Sequence, residues 1–375
     1  MRQRFVGADL TGRTGRQNIS GSDVSDVSEV RHARGRLRSR LFTLGVATAL
    51  ATTGVTAMGA AVTPASATIT DTVLYVGDID GGLSTINVTT GSHTYNDNYS
   101  GIPVQLIANP AGTTLYDVDV MDDYAETYDT RTATPLGGIG TCNRPEAESL
   151  NSASNVLYVS CNDSQGGVDS EVEAINVANP SAPALAATIP IASEPGASLA
   201  DAAVGNLYVD DANGITVVSM ANNSVKQTLA LPAGNLTDSP NGYLLADSYG
   251  NTVYIINATL NLLVGEINVA GGAGSTVICS SGLTMYTSGN VISEIDLTSD
   301  SVVRTFPTNG WGLQLTPDCS TLYEVYGTDV DAVNTSTGAV STVYDDGEKD
   351  PTAFTLAEVP VTYIIRPTPW PILFS

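Results

Sequence analysis

The chain has 375 residues, of which only 14% are charged, and it contains 36 glycines and 18 prolines. This composition is typical of a turn-rich β protein and argues against a mainly helical one. Asp and Glu outnumber Lys and Arg by 39 to 15, which gives a net charge of −24. Because such a surface repels nucleic acids and anionic lipids, we expect neither as a partner.

Residues 1–67 have the pattern of a secretory signal peptide with an extended N-terminal region. A basic cluster that ends at Arg40 is followed by an uncharged stretch over 41–62 and by Ala65-Ser66-Ala67, a small-x-small cleavage site. The pattern predicts a secreted or extracytoplasmic bacterial protein. A transmembrane anchor is the alternative, because the apolar stretch is about 22 residues long. A translation start near Val30 is also compatible with the sequence.

A short strand motif built on Leu-Tyr recurs after this leader at intervals of 37 to 50 residues. Its copies are Leu74-Tyr75, Leu115-Tyr116, Leu157-Tyr158, Leu207-Tyr208, Leu244-Leu245, Met285-Tyr286 and Leu322-Tyr323. A period near 40 residues is the length of one four-stranded propeller blade. We therefore predict an all-β fold, a seven-bladed β-propeller over residues 68–358.

Each repeat contains four short runs of β-branched and aromatic residues, separated by Gly, Asn and Pro. We name the four predicted strands A to D; B carries the Leu-Tyr motif. The first repeat lacks a strand A of its own, and residues 351–356 near the C-terminus supply the missing segment. Pairing of this segment with blade one would close the ring and leave no open sheet edge. Residues 359–375 are then a tail, either a packed strap or a disordered end.

Four cysteines follow the leader, and an even number in an oxidising compartment suggests two disulfides. On the blade layout, Cys142 and Cys161 lie opposite each other on blade three. Cys279 and Cys319 lie near the A–B turns of blades six and seven. The predicted pairs are Cys142–Cys161 and Cys279–Cys319, and free thiols or another connectivity are the alternatives.

These repeats resemble the YVTN-repeat propeller family, a group of bacterial and archaeal surface and exported proteins within the quinoprotein-dehydrogenase-like and WD40-like propellers. The nearest matches are Pro103 with Leu115-Tyr116, Leu157-Tyr158-Val159 with Ile175-Asn176-Val177, and Ser293-Glu294-Ile295-Asp296-Leu297. Asn replaces the Asp of the family pattern in several C strands, and repeats five and six are degenerate. The resemblance implies an extracytoplasmic binding or scaffold propeller, and it says little about activity.

Few residues have the types and spacings that catalysis needs. His93 is the only histidine after the leader, which excludes multi-histidine metal sites and argues against a Ser-His-Asp triad. The sequence contains no Gly-x-Ser-x-Gly elbow, no P-loop and no dinucleotide fingerprint. We therefore assign no catalytic residues, and the sequence favours a protein that is not an enzyme.

Carboxylates are the remaining candidates for chemistry. Nine of the 15 basic and four of the 39 acidic residues lie in the leader, so the rest of the chain has 6 and 35, a net charge of −29. Asp78 and Asp80 follow strand B of blade one, and Asp119 and Asp122 follow strand B of blade two. The B–C loops share one face, so these residues predict an acidic rim that could hold Ca²⁺ through oxygen ligands. The alternative is that each Asp forms a turn with its own backbone.

Two functions compete. The first is a monomeric binding or interaction scaffold that presents this loop face to a protein, a glycan or a cation, with no membrane insertion after signal cleavage. The alternative is a hydrolase or lyase that uses paired carboxylates of the acidic loop face. Catalysis of that kind needs two carboxyl groups roughly 5–9 Å apart in a cleft, whereas a flat acidic rim would favour binding.

Overall fold

The computed structural model describes residues 65–365 apart from 80, 98, 100, 163–169, 233, 241, 243, 309 and 346–350. For 65–68, 244 and 362–365 only the backbone is described. The predicted signal peptide up to residue 64 and the end of the predicted tail from residue 366 lie outside this part. All regular structure within it is β-strand, and it contains no helix with the length and hydropathy of a membrane span.

The described residues form 28 strands, which are arranged in seven antiparallel four-stranded sheets, and this confirms the predicted seven-bladed propeller. Strands are numbered along the chain, and each blade is given from the innermost strand outwards. Blade one consists of β28 (Pro351–Ile365), β1 (Ala65–Asp78), β2 (Leu83–Asn87) and β3 (Ser92–Asn96). Blade two consists of β4 (Pro103–Ala108), β5 (Thr114–Asp119), β6 (Tyr124–Asp129) and β7 (Thr134–Gly140). Blade three consists of β8 (Pro145–Asn151), β9 (Val156–Cys161), β10 (Glu171–Asn176) and β11 (Ala184–Pro190).

The other four blades repeat this order. Blade four consists of β12 (Ser198–Asp201), β13 (Asn206–Asp211), β14 (Gly214–Ser219) and β15 (Ser224–Leu229). Blade five consists of β16 (Asn235–Asp238), β17 (Leu244–Tyr249), β18 (Thr252–Asn257) and β19 (Leu262–Asn268). Blade six consists of β20 (Thr276–Ile278), β21 (Thr284–Thr287), β22 (Ile292–Asp296) and β23 (Ser301–Phe306). Blade seven consists of β24 (Leu313–Leu315), β25 (Thr321–Tyr326), β26 (Asp329–Asn334) and β27 (Val340–Asp345).

The ring closes where the first strand meets the last, as the sequence predicted. β28 pairs with β1 in antiparallel register from Ala65 opposite Ile365 to Asp78 opposite Pro351. The two strands extend well beyond the segment that also pairs with β2, which begins at Val73. β1 therefore starts within the predicted leader, and β28 continues to residue 365 of the predicted tail.

The Leu-Tyr motif packs because neighbouring residues of a strand point to opposite faces of a sheet. In blade two, Leu115 packs against Val73 of blade one, whereas Tyr116 packs against Leu157 of blade three. Among the described residues, one hydrophobic cluster lies between each pair of neighbouring blades. The cluster that contains Leu74 and Tyr323 joins blade seven to blade one. Each anchor therefore contributes apolar burial to two interfaces.

Blade five differs from the predicted alignment by one residue. Leu245 packs against Tyr208 of blade four, and Ala246 packs with Met285 of blade six. These are the two positions that Leu and Tyr occupy in the other blades, so the motif here is Leu245-Ala246 and not Leu244-Leu245. Ala246 lacks the aromatic ring that marks this position in the other blades, so the motif of blade five is predicted one residue too early.

Both predicted disulfides are present. Cys142, between β7 and β8, is bonded to Cys161 at the end of β9, and their Cα atoms are 5.9 Å apart. Cys279 and Cys319, in the A–B turns of blades six and seven, are bonded with Cα atoms 5.6 Å apart. Two disulfides are compatible with an extracytoplasmic location.

Candidate functional site

The innermost strands of all seven blades line a central channel with a cavity of about 810 Å³. Its wall is rich in short polar side chains, which include Gln105, Ser149, Ser198, Asn235, Ser275 and Gln314. Where the structure describes the wall, no Lys or Arg lines it. The channel can therefore accept neutral or cationic molecules, and it disfavours anions.

Trp311 forms part of the wall at the end of the channel where the D–A connections lie. It follows β23, and 48% of its surface is exposed. Its ring meets that of Phe354 edge-on, with centroids 6.4 Å apart and planes at 86°. Gly312 permits this contact, because a Cβ at that position would lie 2.6 Å from the Phe354 ring. The backbone N–H of Trp311 also donates to the carbonyl of Val325 at 3.0 Å, so the main chain that carries the ring is held in place.

Three carboxyl groups contribute to the channel wall, namely those of Glu148, Asp201 and Asp238. Glu148 is fully buried, and within the described structure neither of its carboxyl oxygens has a hydrogen-bond partner. Burial raises its pKa well above the ordinary range, and nearby Asp117 adds to this effect. The pKa of Asp238 is raised to about 6, first by burial and then by Asp201. The wall therefore gains negative charge as the pH rises.

A second set of carboxyl groups is buried inside the blades, two residues beyond the anchoring leucine of strand B. Asp117, Asp247 and Glu324 occupy this position in blades two, five and seven. Burial raises the pKa of Asp117 to about 8 and that of Asp247 to about 7, and it also raises the pKa of Glu324. Asp210 of blade four has a pKa of about 8, which burial raises first and Asp247 second. These four acids are buried and are not part of an exposed rim.

The four predicted calcium ligands are not brought together as one set. Asp78 is buried at the end of β1, and Asp80 lies outside the described residues. Asp119 and Asp122 do share a pocket of about 180 Å³ in blade two, which Tyr124 and Glu126 also line. Where its lining is described, Asp78 does not contribute to it. We call this cavity the blade-two pocket.

Asp119 combines the two roles that the sequence left open. Its Oδ1 accepts hydrogen bonds from the backbone N–H groups of Met121 at 2.6 Å and Asp122 at 3.1 Å, which is the turn role. Its Oδ2 is buried and has no hydrogen-bond partner in the described part of the chain. One oxygen thus stabilises the turn, and the other is buried without a hydrogen-bond partner among the described residues.

Glu126 and Tyr124 were not identified from the sequence. Both lie on β6, where Glu126 pairs with Asp117 of β5 and Tyr124 pairs with Asp119. Residues two apart on a strand share a face. The spacing of Asp117 and Asp119 before the turn and of Tyr124 and Glu126 after it could therefore have placed all four side chains on one face.

Another cluster has the residue types of a metal site. Among the described residues, Cys142, Cys161 and Glu173 are the only three candidate ligands whose donor atoms all lie within 4.8 Å of one another. The two sulfurs form a disulfide, and the carboxylate of Glu173 accepts the backbone N–H of Cys142 at 3.3 Å. This cluster is therefore a structural crosslink and not a metal centre.

Comparison with known proteins identifies the fold only. No protein-family model and no curated protein matches the sequence. A solved structure of a functionally unknown protein from Desulfotomaculum acetoxidans is similar, with a TM-score of 0.65 and 12% identity over 77% of this chain and 99% of that one. Hydrazine synthase from Kuenenia stuttgartiensis is also similar, with a TM-score of 0.53 and 16% identity over 62% of this chain and 76% of that one. At such identities the likeness extends to the β-propeller fold and not to activity.

Proposed function

We propose that the protein is an exported binding scaffold of the YVTN-repeat type, whose ligand is held at the Trp311 end of the central channel. The observation that carries this proposal is the channel itself, a cavity of about 810 Å³ with an exposed Trp ring in its wall. Sites for small molecules typically enclose about 300–1,000 Å³ and combine apolar surface with a few polar groups.

The lining favours a neutral saccharide as the ligand. A sugar ring has an apolar C–H face, which the flat ring of Trp311 can cover. Its hydroxyl groups can bond to the serine, asparagine and glutamine side chains of the wall. Phosphorylated or sulfated ligands are disfavoured, because no cationic side chain lines the described wall and three carboxyl groups do.

The acidic chain and its disulfides support an extracytoplasmic setting. Both disulfides are of the kind that persists in an oxidising compartment. The leader pattern over residues 1–67 supplies the export route in this proposal.

The alternative, a hydrolase or lyase on the acidic loop face, has less support. Such an enzyme needs two carboxyl groups that face a common cleft. Asp78, Asp210 and Asp247 are each at most 3% exposed, so these three acids do not face solvent. His93 is hydrogen-bonded to Ser84 at 3.3 Å and packs against Tyr344, which is a structural environment.

The test is binding of neutral oligosaccharides on a glycan array, followed by calorimetry with the best binder. Trp311→Ala should weaken binding at least tenfold, since it removes the one exposed aromatic ring that lines the described channel. Tyr249→Ala is the matched control, because Tyr249 is 55% exposed and does not line the described channel. The proposal fails if no neutral glycan binds, or if Trp311→Ala binds as tightly as the unmodified protein.

A further inference from the structure

The hairpin of β5 and β6 gathers carboxylates on one face of blade two. Asp117 lies directly opposite Glu126, and Asp119 lies directly opposite Tyr124. All four share the face of Leu115, which packs against blade one. Asp122 adds a further carboxylate from the turn. Burial holds Asp117 largely protonated at neutral pH, with a pKa of about 8, and Tyr128 donates a hydrogen bond to Glu126. The carboxyl group of Asp119 still needs a donor or a cation to compensate its burial.

The basic side chains of the described structure do not supply this compensation. Arg131 pairs with Asp129 at 3.6 Å, and Arg144 pairs with Glu146 at 3.0 Å. Lys226 donates to Asn206, and Arg304 donates to backbone carbonyls that include that of Thr335. None of these four cations lines the blade-two pocket.

Blade four shows how the same position is satisfied within the protein. Asp211 is the structural equivalent of Asp119, four residues after the anchoring leucine. Its Oδ1 accepts the backbone N–H of Asn213 at 2.7 Å, and its Oδ2 accepts the hydroxyl of Thr216 at 2.6 Å. The residue equivalent to Thr216 in blade two is Glu126, because Thr216 lies opposite Val209 as Glu126 lies opposite Asp117. A hydrogen-bond donor in one blade is thus replaced by a second acceptor in the other.

The carboxylate of Asp119 is consequently buried with half of its bonding capacity unused. The residue is 4% exposed, and Oδ2 lacks a hydrogen-bond partner in the described structure. Gly101, with φ at 118°, lies so close that any Cβ there would overlap Oδ2. A buried carboxylate oxygen without a partner is costly, and a cation would remove that cost.

We propose that the blade-two pocket binds a divalent cation of the Ca²⁺ type through Asp119 Oδ2. A volume of about 180 Å³ has room for the ion and several waters, since one water occupies about 30 Å³. The carboxylates described in this pocket do not form a group whose donor oxygens all lie within 4.8 Å of one another. In this proposal water molecules complete the coordination shell, and Asp122 and Glu126 bind the ion through water or after a change of side-chain rotamer. This site is separate from the saccharide site and retains only Asp119 and Asp122 of the predicted calcium set.

The experiment is calorimetric titration of the chelator-treated protein with CaCl₂, with a parallel Tb³⁺ titration. Tyr124 lines the pocket, so excitation of tyrosine should sensitise luminescence of bound Tb³⁺, and Ca²⁺ should displace it. Asp119→Asn should weaken Ca²⁺ binding at least tenfold, because the amide keeps the turn hydrogen bonds and loses the charge. Glu126→Gln should also weaken binding.

Asp211→Asn is the matched control, since it changes the equivalent turn residue of blade four and should bind Ca²⁺ as the unmodified protein does. Tyr124→Phe should retain the heat of Ca²⁺ binding, because no phenol ligand is invoked. The proposal is overturned if the unmodified protein shows neither heat nor sensitised luminescence. It is equally overturned if Asp119→Asn, checked to be folded by its melting curve, binds Ca²⁺ with unchanged affinity.

Discussion

Buried carboxyl side chains of this propeller lie in two different environments. Some, such as Asp211, end a strand and bond to the next turn, so that burial costs little. Others lie within strands, where Asp247 is fully buried and neither of its carboxyl oxygens has a partner in the described structure. Asp210 faces it from blade four, and its carboxyl group accepts the backbone N–H of Gly234 at 2.8 Å. A pair of this kind is stable in the protonated form and strained in the ionised form.

The pH dependence of stability follows from this pair. In the folded protein the pKa values are about 8 for Asp210 and about 7 for Asp247, against an ordinary value near 3.8. Between about pH 4 and pH 8 the folded state holds more protons than the unfolded state, so the free energy of unfolding should fall as the pH rises. Asp247→Asn should flatten this fall and stabilise the protein by about 1–3 kcal/mol at pH 8.5, with little effect at pH 4.

Chemical denaturation at a series of pH values would measure the effect. Asp296→Asn, at the partly exposed end of β22, should leave the profile between pH 4 and pH 8 unchanged. An Asp247→Asn profile parallel to that of the unmodified protein would mean that this carboxyl group is ionised in the folded state.

At the scale of elements, strand B makes the apolar contacts between neighbouring blades. Its leucine and tyrosine face opposite neighbours, so each blade is held by its own hydrogen bonds and by two apolar interfaces. Blade five has an alanine at the tyrosine position, and its interface with blade six is instead built from aliphatic residues such as Ile255 and Ile278.

The two disulfides act on different elements and should differ in effect. Cys142–Cys161 joins positions 19 apart within one blade, whereas Cys279–Cys319 joins A–B turns of two blades across 40 positions. In the chain-entropy relation, removal costs about 3 kcal/mol for the first and about 4 kcal/mol for the second. Denaturation of the paired Cys→Ser variants would measure both costs. If the Cys279 and Cys319 variant loses less free energy of unfolding than the other, loop length does not determine how much each disulfide stabilises the protein.

At the scale of the whole molecule, stability should depend on the pairing of β1 with β28. A chain that ends after residue 350 lacks β28, so strand β1 loses a partner and the interface between blades seven and one loses Phe354. We expect loss of the cooperative melting transition. A chain that ends after residue 365 keeps the whole strand and is the control. Similar melting curves for the shorter truncation and the complete chain would contradict the closure.

The fold was predictable from the sequence to a greater extent than the sites. Pairs like Leu115-Tyr116 recur because every blade must fill the same two interfaces. The spacing of these pairs along the sequence therefore predicts the number and length of the blades. Pro103 and Pro145 stand twelve residues before the anchoring leucines of blades two and three and mark the start of their inner strands. Blade seven has Gly310 at this position, so no such signal places Trp311 beside its inner strand. Glu126 was missed because its importance comes from the residue across the ladder, Asp117, and a cross-strand pair is visible only once the register is known.

Pairing between the two ends of the propeller also sets a time order for folding. The partner of β1 is formed by the 15 residues of β28, which are synthesised after every other described strand. Blades two to seven can pair internally as they emerge, but blade one must wait with its inner edge unpaired. We expect blade one of a nascent chain to remain incompletely folded until β28 has been synthesised.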